Sequence, residues 1–431
     1  MVAMGELTGT RAASRATTRL GALSRRGRAM VPPSSAGRRL VAMSLVNATG
    51  SGLWLTGSAL FFTRVVGVTA AQVGLGLSLA GVTGLLTTMP VGTLVDRFGP
   101  RRVCAVLLLW RTGGFVAYAF TRGFVGFLVI ACLLGVADRV MGPVTQSLVS
   151  TAVGPEERNR TMGYVQATRN AGFTLGGALA AVMITVFGTG SYVVLVLGNA
   201  ASFVLAVPVL LTIKELRPAA PQRGLSLLRS ALPRDRRFLE IAAVNGLLVA
   251  HFTLLTVTIP LWLVTRTAAP RTLLGVLLVI NTIGASLFQV AISSRTSTLP
   301  RAARKYLQAG VALFLCCAVV AATGAIGAVW ASVLFVAAIC LLTVAELTQS
   351  AAAWQVSFAL AGEERRGSYL AAFSLGESVQ AIIGPALFTW LVVAAGWGGW
   401  LAVGVLLLAA GAVAYHLGKP KPPPASPTPA P

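Results

Sequence analysis

Twelve apolar runs, each about as long as a bilayer is thick, constrain this chain of 431 residues more than any other feature. They fall near residues 40–63, 70–94, 101–121, 123–152, 156–187 and 191–213, then near 237–265, 271–293, 303–325, 328–360, 365–395 and 397–418. A helix crosses a membrane with about 20 apolar residues. Hydrocarbon offers no partner to a free backbone N–H or C=O, so each run must be helical. The expected fold class is therefore an all-α membrane protein of 12 transmembrane helices. Composition closes off the alternatives: 55% of residues are hydrophobic and 11% charged. A soluble globular or disordered chain needs far more polar surface.

The net charge of +23 is not spread evenly. Of the 35 Lys and Arg, 28 lie on the two tails and the even-to-odd connections. Only Arg64, Arg122, Arg266 and Arg271 lie on the opposite connections, and Arg111, Arg139 and Arg169 lie inside helices. This positive-inside asymmetry predicts cytoplasmic termini and excludes a nucleic-acid role. Residues 1–39 read as a basic cytoplasmic tail able to touch anionic lipid, 214–236 as a cytoplasmic linker, and 419–431 as a Pro-rich cytoplasmic tail. Residues 40–213 and 237–418 form an N-terminal and a C-terminal bundle of six helices each. Arg outnumbers Lys 31 to 4, which suggests GC-rich coding and a bacterial plasma (inner) membrane. The five cysteines, Cys104, Cys132, Cys316, Cys317 and Cys340, all lie in apolar runs and read as buried hydrophobes. No cofactor or metal is expected.

The halves repeat one another. Ala131–Asp138 (ACLLGVAD) matches Ile339–Glu346 (ICLLTVAE) at an offset of 208, and the same offset pairs Gly154 with Gly362, Arg158 with Arg366 and Gly176 with Gly384. Asn47 pairs with Asn245 at a nearby offset. An even number of helices separates the copies, so they share one orientation.

Between helices 2 and 3 stands Gly92-Thr-Leu-Val-Asp96-Arg97-Phe-Gly99-Pro-Arg101-Arg102. It resembles the G-x-L-A-D-R-x-G-R-R motif of the major facilitator superfamily, with Pro100 and Val95 departing from the pattern. The resemblance covers about residues 40–418 and implies two pseudo-symmetric six-helix bundles that alternate access to a midplane cavity. It makes Gly92, Asp96, Arg97, Gly99, Arg101 and Arg102 a cytoplasmic latch motif, in which Asp96 meets an arginine or the positive end of a neighbouring helix. The loop from Ser294 to Lys305 has no matching acid, so one of two latches is degenerate. Helix 5 carries Gly172-Phe-Thr-Leu-Gly176-Gly177, a partial match to the helix 5 motif of drug:proton antiporters that lacks its proline. Arg139 with Gly142 loosely matches their helix 4 motif. Gly172, Gly176 and Gly384 read as helix-packing positions.

An ionisable group inside the bilayer costs several kcal/mol and needs a reason. Asp138, Glu346 and Glu377 face a matching count of arginines in Arg111, Arg139 and Arg169, enough for full compensation. Asp138 is expected to pair with Arg111 or Arg169. Glu346 and Glu377 have no arginine in their own bundle, which makes them candidates to carry a proton. His251 reads as a polar core residue or a proton relay. By the resemblance, helices 1 and 7 line the cavity, so Asn47 and Asn245 are candidates for substrate hydrogen bonds. There is no Walker loop, H-E-x-x-H or G-x-S-x-G, and no enzymatic activity is expected. The partners expected are a small-molecule substrate, protons and the lipid bilayer, with the chain functional as a monomer. The reading is proton-coupled efflux of a hydrophobic or amphiphilic compound. An uptake porter or facilitator for a polar metabolite is the alternative; a non-transporting sensor or membrane enzyme belongs to another class.

Overall fold

The computed structural model describes residues 31–187, 190–216, 235–362 and 365–419. Most of the basic tail, the centre of the linker and nearly all of the Pro-rich tail lie outside the described residues. Twelve membrane-length helices account for most of the chain: α1 (Ser35–Leu60), α2 (Ala70–Phe98), α3 (Pro100–Phe120), α4 (Gly123–Ala152), α5 (Pro155–Phe187), α6 (Ser191–Leu211), α7 (Arg236–Arg266), α8 (Leu273–Ser294), α9 (Leu299–Ala322), α10 (Ala328–Leu360), α11 (Arg366–Ala395) and α12 (Trp397–Gly418). No strand occurs among the described residues. Among the described residues, eleven helices are apolar and long enough to span by composition; α1 is not among them. Its Asn47, Thr49, Ser51, Thr56 and Ser58 dilute the apolar run. At 26 residues it is nonetheless intermediate in length between α6, with 21, and α5, with 33, and it is packed by both.

Sequence chemistry sets the helix ends. The Ser34 hydroxyl accepts from the Gly37 amide to start α1, and Thr69 with Gln72 forms a reciprocal capping box at α2. Gly99 takes a φ of +83° and Gly396 one of +57°, which allows the abrupt α2–α3 and α11–α12 turns. The helix α7 is not uniform. It widens into a π turn at Leu254–Thr258, just before Pro260, because proline lacks the N–H that would close an ordinary turn. A π turn also ends α1, at Phe61–Val66.

Small residues let the helices touch. Gly172 and Gly176 lie against the α1 backbone at Leu45 and Thr49. In the second half the corresponding crossing of α7 and α11 places Gly246 against Gly376. These close backbone approaches supply the van der Waals contact that drives association in lipid, where apolar helices gain nothing by leaving hydrocarbon. Two buried apolar clusters result, one around Phe61, Phe127 and Phe203 and the other around Phe238, Phe335 and Trp400. Leu86, Phe120, Val125 and Val329 point outward, as a hydrocarbon-facing surface requires. The expectation that all five cysteines are buried is corrected. Cys104, Cys316 and Cys317 are buried, Cys132 is half-buried and Cys340 is exposed, because an apolar run also supplies the outer face of its helix.

Candidate functional site

The two halves meet at the end of the bundle where α2 and α4 finish and α5 and α11 begin. Hydrogen bonds between the halves cross here, from Gln146, Asn159 and Asp96. The centre of one such contact is Asp96, in the last turn of α2. One of its carboxylate oxygens accepts the Gly367 amide at 2.5 Å; the other accepts the Ser368 amide at 2.9 Å and the Ser368 hydroxyl at 2.6 Å. Gly367 and Ser368 open α11, so an anion caps the helix end whose N–H groups lack partners. The approach depends on glycine at Gly92: a Cβ there would sit 2.7 Å from the Ala371 Cβ and 3.0 Å from the Gly367 carbonyl oxygen. Arg101 turns the other way, binding the Ile213 carbonyl at 3.0 Å with its guanidinium and the Glu215 carboxylate at 3.2 Å with its amide. Arg97 and Arg102 are exposed, the former over the Phe98 ring at 5.1 Å. A cation-bearing loop around one buried acid is what the motif provides.

The ionisable residues inside the bundle gather near mid-height. Arg111 of α3 is buried and meets Asp138 of α4 at 3.0 Å. Its guanidinium also reaches the Asn47 side-chain oxygen on α1 at 3.3 Å and lies 4.0 Å from the centre of the Phe203 ring on α6. One arginine therefore ties four helices of the first half. Full compensation of three acids by three arginines does not occur. Arg139 is 100° around α4 from Asp138 and lies along Gly84 and Gly81 of α2, with no acid in ion-pair contact among the described residues.

The second half holds its acids differently. Glu377 of α11 accepts the Asn245 amide at 3.3 Å. The Asn245 carbonyl oxygen in turn accepts the Tyr306 hydroxyl at 3.0 Å and the Gln349 amide at 2.8 Å. Glu346 of α10 accepts the Asn281 amide at 2.9 Å, and Asn281 also binds Thr343. Both carboxyls are half-buried and neither makes an ion pair among the described residues. In the other half Arg169 of α5 is exposed and within electrostatic reach of both. Neither acid has an arginine at mid-height in its own bundle, and the fold brings one in from the other. His251 of α7 is half-buried, contacts the Leu248 carbonyl at 3.3 Å and lies within reach of Glu346.

Two assignments change. Asn245 is 0% exposed; with all its amide groups engaged it supports Glu377 instead of lining a cavity. Gly384 is met first by side-chain atoms, those of Gln380 and of Thr253 on α7. It leaves room for the Gln380 amide, which reaches Thr253 of α7 at 2.9 Å. Tyr306, Gln349, Asn281 and Gln380 were missed altogether. Their signal was present, since an uncharged polar residue inside an apolar run needs a partner as a charge does, but it is weaker and shared by many threonines and serines.

Changing Asp138 to Asn leaves the buried Arg111 guanidinium without its carboxylate. A fully buried pair costs about 3–5 kcal/mol to break from one side. The Asp138 side chain is 51% exposed, so solvent screening cuts the expected loss to about 2 kcal/mol. Thermal unfolding in detergent measures it, and pairing the change with Arg111→Gln should recover part of the loss.

The profile described as Major Facilitator Superfamily matches residues 40–357. A protein named as a probable 4-methylmuconolactone transporter of Cupriavidus pinatubonensis is 29% identical over 123 residues, 28% of this chain and 28% of that protein. The multidrug resistance protein MdtG of Dickeya zeae is 29% identical over 111 residues, 26% of this chain and 27% of its own length. The chain thus aligns with less than a third of the length of these relatives. A crystal structure of a bacterial homologue of the iron transporter ferroportin, in an outward-facing state, superimposes with a TM-score of 0.73 at 16% identity, covering 89% of this chain and 98% of that one. That likeness is one of fold.

Proposed function

The chain belongs to the Major Facilitator Superfamily, and we propose that it is a secondary active transporter that exports a hydrophobic or amphiphilic small molecule in exchange for protons. It works by alternating access in a bacterial plasma membrane, as a monomer, with both termini in the cytoplasm. The observation that carries the coupling is the contrast between the two halves. Asp138 is held by an arginine at 3.0 Å, whereas Glu377 and Glu346 are held by neutral asparagine amides. An acid in an ion pair must break that pair to take a proton; an acid bonded to an amide need not. Arg169, from the other half, lies within electrostatic reach of both carboxyls and can compensate whichever is ionised.

The end of the bundle closed by Asp96 carries the arginine-rich connections, which supports a cytoplasmic placement. On this reading the end closed by Asp96 is the cytoplasmic one. In proteoliposomes, an added substrate should drive proton movement that empty liposomes lack. Substrate transport without any proton movement would sink the coupling. The relative named for a lactone favours a second cargo class, a polar metabolite taken up. Deletion separates the two: greater sensitivity to amphiphilic toxins supports export, and lost growth on a single carbon source supports uptake.

A further inference from the structure

We infer that Asn159 is the second latch of the closed end, with its polarity reversed relative to Asp96. It is a positioning residue for the transport cycle, and in that role the inference rests on the transport reading. The sequence repeat aligns the start of α5 with the start of α11 at an offset of 208. Gly367, whose amide binds Asp96, therefore corresponds to Asn159. On the first flank, α2 supplies a carboxylate to the unpaired N–H groups of α11. On the second flank, α8 ends without an acid, at Ser293-Ser-Arg-Thr296. What α8 offers is the opposite pole, the carbonyl groups of a helix C-terminus, which need a donor.

Asn159 provides it. Its side-chain nitrogen donates to the Ser293 carbonyl at 3.0 Å and to the Thr296 carbonyl, and lies 3.3 Å from the Ala351 carbonyl of α10. A single amide thus joins α5 to both α8 and α10, across the two halves. One turn further on, Gly163 lets the helices approach: a Cβ there would lie 2.6 Å from the Ser293 hydroxyl and 3.2 Å from the Val290 Cα. The Asn159 side-chain oxygen has no hydrogen-bond partner and is buried. Water satisfies that oxygen when the end opens, which offsets part of the cost of parting and keeps the contact reversible.

The test is hydrogen–deuterium exchange of the full chain in nanodiscs, read on the peptides covering the end of α8 and the start of α5. Asn159→Asp keeps the volume and loses the donors, and it sets a negative charge against the carbonyls. Asn159→Ala loses donors and volume. The latch predicts that exchange at these peptides rises about tenfold in the Asp variant, the effect of losing one to two hydrogen bonds, and rises less in the Ala variant. A role in packing alone predicts the reverse order. An Asp variant indistinguishable from the unmodified chain, or an Ala variant that exchanges faster than the Asp variant, overturns the inference. Should the Asp variant lose its fold, Asn159→Gln decides. Partial protection relative to Ala supports the latch, and none overturns it. The exchange needs neither substrate nor gradient, so a chain that moved nothing in proteoliposomes would still report whether this amide holds the end closed.

Discussion

Glu377→Gln should abolish accumulation of substrate against its gradient while leaving exchange of labelled for unlabelled substrate intact. Glutamine has the shape of a protonated glutamate, and its carbonyl oxygen can still accept the Asn245 amide. The network behind it, from Tyr306 and Gln349 into Asn245, stays satisfied. What disappears is the ability to pick up and release a proton. One proton moving down one pH unit supplies about 1.4 kcal/mol, which sustains about a tenfold substrate gradient. The variant should show a ratio near one under the same imposed gradient, with proton flux at the level of empty liposomes. If Glu346→Gln produces this loss and Glu377→Gln does not, the carrier is the carboxyl on α10, held by Asn281. If neither does, proton coupling through this wall of the chamber is wrong.

The other large effect belongs to Asp96. Alanine there removes the acceptor of three hydrogen bonds at the start of α11 and leaves two amides without partners until the end opens to water. At about 1 kcal/mol for each lost bond, the closed state loses about 3 kcal/mol, roughly a hundredfold in population. A cysteine in place of the buried Thr88, which lines the crevice between α2 and α11, reports on this. Its reaction with a maleimide added from the cytoplasmic side should quicken by about the same factor in the Asp96→Ala background. An unchanged rate would mean that the remaining contacts at this end, Gln146 with Ser357 and Asn159 with α8, hold it shut without the carboxylate. Asp96→Asn should fall between, because one oxygen still accepts while the amide opposes donors.

The helices were legible because the membrane makes their signal local. A run such as 328–360 has one solution in hydrocarbon, and α10 occupies Ala328–Leu360. The least apolar helix, α1, was legible only through its neighbours in the pattern, since its own polar residues lower its hydropathy. The motif around Asp96 was legible as a sequence string, but its partner was not: the amides of Gly367 and Ser368 lie about 270 residues away, and backbone groups leave no mark in composition. The ionisable residues at mid-height stood out for the same reason as the helices, through the cost of burying charge. Their partners did not stand out. Asp138 had two candidate arginines and took Arg111; Glu346 and Glu377 had none in sight and came to face Arg169.

Sequence alone therefore determined how many helices form, roughly where each lies along the chain, and which side chains are too costly to sit in lipid unaided. Each of these follows from a one-dimensional comparison of a residue with hydrocarbon. Tertiary structure alone decided which helix an acid addresses, whether that acid meets a guanidinium or an amide, and which end of the bundle is shut. Those depend on the rotation of each helix about its own axis, where one residue shifts a side chain by 100°, and on where glycines let two backbones cross. Asn245, equally polar wherever it points, became a support for Glu377 only because α7 crosses α11 at Gly246 and Gly376.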